Sequence, residues 1–179
     1  MITQLKLARE LDPLALWVNA QLGLAYYFKG QDDEAVAQLK KTLDLDAGFY
    51  PGHMFLGGFY AHQHRLEEAL AALQTARLHG GDTSRILGWT AYVNGLMGRK
   101  RKASNIAGEL EELARDQYVC PVDLARSYVG IGNGDRALAW LQQAADLRCG
   151  RLIWTGVDPS FESVWRDERF PAIRSRMNL

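Results

Sequence analysis

The sequence predicts an all-α chain, a solenoid of stacked helix–turn–helix hairpins closed by a C-terminal helical cap. Three observations predict it: residue columns that recur every 34 positions, apolar residues at helical spacing within each period, and turn signals between them at the same interval. Ala35, Ala69, Ala103 and Ala137 keep this step, as do Leu39, Leu73, Ala107 and Leu141. Leu22-Gly23, Leu56-Gly57, Thr90-Ala91 and Leu124-Ala125 are in register, and so are Tyr26, Tyr60, Asn94 and Tyr128. The four periods run 16–49, 50–83, 84–117 and 118–151 without insertion; the third is degenerate, because Thr90, Asn94 and Ala107 replace bulkier residues.

Residues 1–15 fit the same ruler as the second helix of an upstream repeat, Ile2 to Leu11, stopped by Asp12-Pro13. Its first helix is missing, so the chain is expected to be a fragment of a longer array. In each full period Gly or Ala beside Leu22 and Tyr26, or their equivalents, lets a second helix approach closely. Ala35, Leu39 and Leu43 supply the answering stripe on that second helix. Lys29-Gly30-Gln31-Asp32, Gln63-His64-Arg65, Gly98-Arg99-Lys100 and Gly132-Asn133-Gly134-Asp135 are read as the turns. One such hairpin cannot bury its own apolar face, so neighbours are expected to stack into one continuous elongated core. Residues 152–179 break the period: Asp158-Pro159 and Phe170-Pro171 place Pro where a helix can start, and Trp154, Phe161, Trp165 and Phe170 offer aromatic cover for the last repeat.

Composition sets the outer bounds. Of 179 residues, 47% are hydrophobic and 23% charged, too apolar for a disordered chain. Lys+Arg at 21 balance Asp+Glu at 21, so no net field draws the chain to nucleic acid or an anionic membrane. No run reaches the roughly 18 apolar residues of a membrane span. Two cysteines, Cys120 and Cys149, form neither a disulfide framework nor a zinc spacing, and the chain is expected in the reducing cytoplasm. They bracket the fourth hairpin, and idle thiols are the expectation there.

No motif in the sequence points to catalytic or cofactor chemistry. Gly130-Ile131-Gly132-Asn133-Gly134 lacks the preceding strand and following Lys of a phosphate loop and falls on a turn. His53, His62 and His64 lack further ligands at metal-binding intervals, and Arg99-Lys100-Arg101-Lys102 is a basic run in a turn. The expectation is a non-enzymatic chain with no cofactor, no metal, no nucleic-acid partner and no membrane contact.

The columns resemble the tetratricopeptide repeat family, carried by Asn19-x-x-Leu22-Gly23-x-x-Tyr26 with Ala35-x-x-x-Leu39, His53-x-x-Leu56-Gly57-x-x-Tyr60 with Ala69-x-x-x-Leu73, and Pro121-x-x-Leu124-Ala125-x-x-Tyr128 with Ala137-x-x-x-Leu141. None of the copies keeps the family's Trp. The resemblance implies a right-handed superhelix whose leading helices line a concave wall. Gln117-Tyr118-Val119, Val-Asp-Pro-x-Phe at 157–161 and Arg-x-Asp-x-Arg-Phe at 166–170 further resemble the C-terminal arrays of bacterial regulatory proteins. Those arrays follow winged-helix regulators, nucleotide cyclases or Ser/Thr kinases.

A second apolar stripe on the first leading helix, Trp17, Ala20, Leu24, Tyr27 and Phe28, is then the partner-facing side. The same offsets give Met54, Gly58 and His62, then Arg85, Gly88, Tyr92, Gly95 and Leu96, then Val122, Arg126 and Val129, with the glycines leaving room. Trp17, Leu24, Tyr27, Phe28, Met54, His62, Arg85, Tyr92, Leu96 and Arg126 are the candidate binding residues. Only two are Arg, so the wall does not match the family's clamp for carboxylates; it suits an apolar peptide or amphipathic helix with aromatic anchors. Trp17 and Phe28 have an alternative place against an upstream helix. Two other functions stay open at this point: self-association into a homodimer, and sensing of an apolar small molecule on behalf of an N-terminal effector.

Overall fold

The computed structural model describes residues 1–176, so the last three residues of the 152–179 capping segment lie outside the described residues. Among the described residues there is no strand, and the all-α expectation holds. The helices are α1 (Ile2–Leu11), α2 (Leu16–Tyr27), α3 (Asp32–Leu45), α4 (Tyr50–His62), α5 (Leu66–Gly80), α6 (Ser84–Leu96), α7 (Lys100–Asp116), α8 (Pro121–Ile131), α9 (Gly134–Asp146) and α10 (Arg169–Ser175). They divide into two compact units, Met1–Gly81 and Asp82–Leu179.

In the first unit α2 pairs with α3 and α4 with α5, while α1 packs on α2 and α3 on α4. The recurring columns meet each other inside the hairpins. A Cβ at Gly57 would lie 2.6 Å from Leu73 Cγ and 3.2 Å from the Ala69 carbonyl oxygen, so α4 rests directly on the Ala69/Leu73 stripe of α5. Gly23 stands in the same relation to Leu39 and Ala35. The 34-residue stride is therefore the repeat of a single contact, small residue against Ala and Leu. The acidic first turn of α3, Asp32-Asp33-Glu34, favours the positive end of that helix.

In the second unit the small residue is alanine. Ala91 shares a core with Ile106 and Leu110, and Ala125 shares one with Ala137 and Leu141. The glycines here do a different job. A Cβ on Gly95 would fall 2.1 Å from the Gly130 carbonyl oxygen, one on Gly130 would fall 2.4 Å from Tyr92 Cα, and one on Gly88 would fall 2.8 Å from the Asp123 carbonyl oxygen. Helices α6 and α8 thus touch backbone to backbone. The sequence reading has Gly88 and Gly95 leaving room on a partner-facing wall; α8 fills that room, because a residue without a side chain is the natural seat for a neighbouring main chain.

The turns carry the backbone strain expected of them. Gly30, Gly98 and Gly132 have φ of 69°, 73° and 84°, the left-handed region that favours glycine, and His64 takes the same role at 57°. Asn133 caps α9 by accepting from the Arg136 N–H at 3.1 Å. Beyond α9 the chain makes two 3-10 turns, Gly150–Trp154 and Pro159–Val164, before α10. Leu152, Phe161, Val164, Phe170 and Ile173 join the core of α8 and α9. Of the expected aromatic cover, Phe161 and Phe170 are buried and Trp165 donates to the Thr155 carbonyl at 2.8 Å, whereas Trp154 stays exposed.

Candidate partner-binding faces

The candidates on α2 and α4 separate into an outer and an inner layer. Trp17 is 54% exposed and packs edge-on with Phe49 at 5.5 Å. Tyr27 is buried; its ring stacks on Phe59 at 4.3 Å and takes the edge of His62 at 5.7 Å. Phe28 lies tilted against Tyr27 at 5.6 Å and is half-buried, as are Leu24 and His62. His62 Nε2 lies 3.7 Å from Asp32 Oδ2. Met54 is buried. Tyr27, Phe28 and His62 are thus brought together, while Trp17 stands about 15 Å along the helix from Tyr27. Phe49 and Phe59, which complete these ring contacts, are absent from the sequence reading because neither lies on the partner-facing offsets.

The candidates on α6 and α8 fall beside a buried ionic network. Asp123, on α8, is fully buried; Arg151 grips it with two parallel bonds of 2.9 and 2.8 Å, and the Ser84 hydroxyl donates to it at 2.8 Å. Arg126, one helical turn further on, is also buried. It donates to Asp158 at 2.6 Å and to the Ser160 hydroxyl at 3.1 Å, and its guanidinium lies 4.1 Å from the Trp89 ring centre and 4.9 Å from that of Phe161. Burial, with Arg151 nearby, lowers the Arg85 pKa to about 10, still charged at neutral pH. Burial, with the Asp158 charge, pushes the Tyr92 hydroxyl up to about 12. Arg85 and Tyr92 are half-buried and Leu96 is exposed.

Arg126 is therefore engaged by the cap and is no free anchor for a partner. Asp123, Arg151, Asp158 and Ser84 are missed at the sequence level. A signal for the first was present: Asp123 and Arg126, three apart on a helix that also carries Val122, Leu124, Ala125 and Val129, must find partners inside. His53 bonds the Ala47 carbonyl at 2.8 Å, and among the described residues no group of three or more His, Cys, Asp or Glu is placed to hold a metal ion.

No protein-family model and no curated protein matches the chain. Solved structures do. TTC0263, a thermophilic TPR protein of Thermus thermophilus, superposes with a TM-score of 0.65 at 18% identity, covering 99% of this chain and 89% of its own. YrrB, described as a TPR protein with an unusual peptide-binding site, gives 0.58 at 14% identity, covering 99% and 92%. The fold is a tetratricopeptide-repeat fold. PilF of Pseudomonas aeruginosa extends the set, with a TM-score of 0.56 at 15% identity over 92% of this chain and 75% of its own. The TPR fold accounts for the 34-residue columns. No helix among the described residues is long and apolar enough to cross a membrane.

Proposed function

We propose that the chain binds a peptide or amphipathic helix of a protein partner on the leading-helix face of its first unit. The observation that carries this reading is the layered aromatic surface: Trp17, Leu24 and Phe28 stand partly open to solvent, and Tyr27, stacked on Phe59, backs Phe28 from beneath. Rigid rings held over a packed base lose little conformational entropy on binding, which is what an interaction anchor needs. Tyr27 and Met54 serve as support rather than as contacts, since both are buried. Tyr92 and Leu96 give the second unit a smaller face of the same kind, with Arg85 as its cation. The peptide-binding site named for YrrB lends support by fold alone. The wider setting proposed is the interaction part of a larger bacterial signalling or transcription-regulatory protein, supported by the resemblance of residues 117–119, 157–161 and 166–170.

The test is selection of peptides from a displayed library, followed by calorimetry with Trp17→Ala and Phe28→Ser. Each substitution is expected to weaken binding about tenfold or more, near 1.4 kcal/mol, with the thermal midpoint little changed. Undiminished affinity in both variants would overturn the assignment of this face.

A second reading has its own observation. Helix α1 buries no residue, and Leu7, Leu11 and Leu14 are exposed along that end of the chain. Such a face suits self-association. Sedimentation over a concentration series is expected to show reversible dimers that Leu7→Glu with Leu11→Glu abolishes; a monomer at every concentration removes this reading.

A further inference from the structure

We propose that Cys120 and Cys149 are a redox pair that closes into a reversible intramolecular disulfide when the protein meets a peroxide. Cys120 is the residue before α8, and Cys149 the residue before the first 3-10 turn, so the α8–α9 hairpin brings the two ends of one repeat together. Their sulfurs lie 3.0 Å apart inside one hydrophobic core, and both thiols are free. Closing to a bond of about 2.05 Å asks for roughly one ångström of side-chain movement. That places the pair far outside the usual case of two buried, idle cysteines.

The surroundings make the two sulfurs unequal. The contact with Cys120 lowers the Cys149 pKa, as do a backbone N–H at Arg151, the Tyr118 hydroxyl, which donates to its sulfur, and the Arg151 charge. The contact with Cys149 and burial raise Cys120. One sulfur is thus suited to attack and the other to resolve. The Tyr118 hydroxyl lies 3.7 Å from Cys149 Sγ, while the residue itself is 72% exposed on the non-helical stretch between α7 and α8.

The chemistry balances with the peroxide as the only co-reactant. The Cys149 thiolate attacks one peroxide oxygen, the O–O bond breaks, and the departing oxygen leaves as water after taking a proton; Cys149 becomes a sulfenic acid. Cys120 then gives up its proton and attacks the Cys149 sulfur, the S–S bond forms, the S–O bond breaks and a second water leaves. Two thiols lose two protons and two electrons, and the peroxide is reduced to two waters. A dithiol reductant reverses the bridge by exchange. The closed bridge fastens the start of α8 to the segment that carries Arg151, two residues beyond Cys149, whose guanidinium holds Asp123 on α8.

The experiment uses the full reduced chain at low micromolar concentration, treated with hydrogen peroxide, quenched with iodoacetamide and weighed intact. The chain has two cysteines, so the product needs no mapping. Expected is the loss of both alkylation sites in a monomer lighter by two hydrogens, restored by dithiothreitol. The same chain in urea is expected to close at least about tenfold more slowly, because folding supplies the effective concentration. Two alkylatable thiols after treatment, bridges only between chains, or equal rates in folded and urea-treated protein would each overturn the proposal.

Discussion

Gly130→Val is expected to unfold the second unit at room temperature or bring it close to doing so. The added Cβ would sit 2.4 Å from Tyr92 Cα and 2.6 Å from the Tyr92 carbonyl oxygen, and both are main-chain atoms that no rotamer change can move. Relief requires α6 and α8 to separate, which strips Leu87 and Ala91 on α6 from Leu124 on α8. The expected loss exceeds the about 1–3 kcal/mol of ordinary overpacking, against a total stability of about 5–15 kcal/mol for a domain. Urea unfolding followed by tryptophan fluorescence reads it, since Trp89, Trp140 and Trp165 all report from this unit. Gly108→Ala is the control: it is a helical glycine in α7 with nothing within 4 Å of an added Cβ, and it is expected to stabilise by about 0.5–1 kcal/mol. A Gly130→Val chain with the wild-type midpoint would show that the two helices do not meet through their backbones.

Asp123→Ala is expected to remove about 3–5 kcal/mol from the same transition. The carboxylate is wholly buried, and without it Arg151 loses both partner bonds while Ser84 loses its acceptor. The larger part of that loss is the uncompensated guanidinium left behind, not the value of the pair itself. Asp123→Ala combined with Arg151→Met is therefore expected to recover a good part of the deficit, because the stranded charge goes with it. A single variant within about 0.5 kcal/mol of wild type would mean that the network contributes nothing measurable.

The fold class was legible in the sequence because the repeating contact is between residue types that leave a spacing signature. Gly23 against Ala35 and Leu39, and Gly57 against Ala69 and Leu73, each recur at the stride that defines the hairpin. Glycines outside that stride were harder to read. Gly88 and Gly95 have the spacing of an open groove and of a tight helix seam alike, and only the position of α8 decides between them. Charges posed the same difficulty. Arg126 on an apolar helix reads as a partner-facing cation until Asp158 and Ser160, more than thirty positions away, are seen to occupy it. Trp17 and Phe28 were legible as an aromatic stripe, because an apolar residue on both sides of one helix needs a second thing to touch. The pairing of Cys120 with Cys149 was legible only as proximity of two ends of a hairpin; their 3.0 Å separation belongs to the packing.

The glycine contacts between α6 and α8 bear on how this part of the molecule can respond to force. Between most helices a layer of methyl groups and rings acts as a cushion, able to slide or re-seat when one rod is pushed. At Gly88, Gly95 and Gly130 the two main chains meet with no side chain between them, and there is little to compress. A load applied to Tyr92 or Leu96 is then handed straight to α8, and on to Arg126 and the terminal turns, as through a stiff plate instead of a spring.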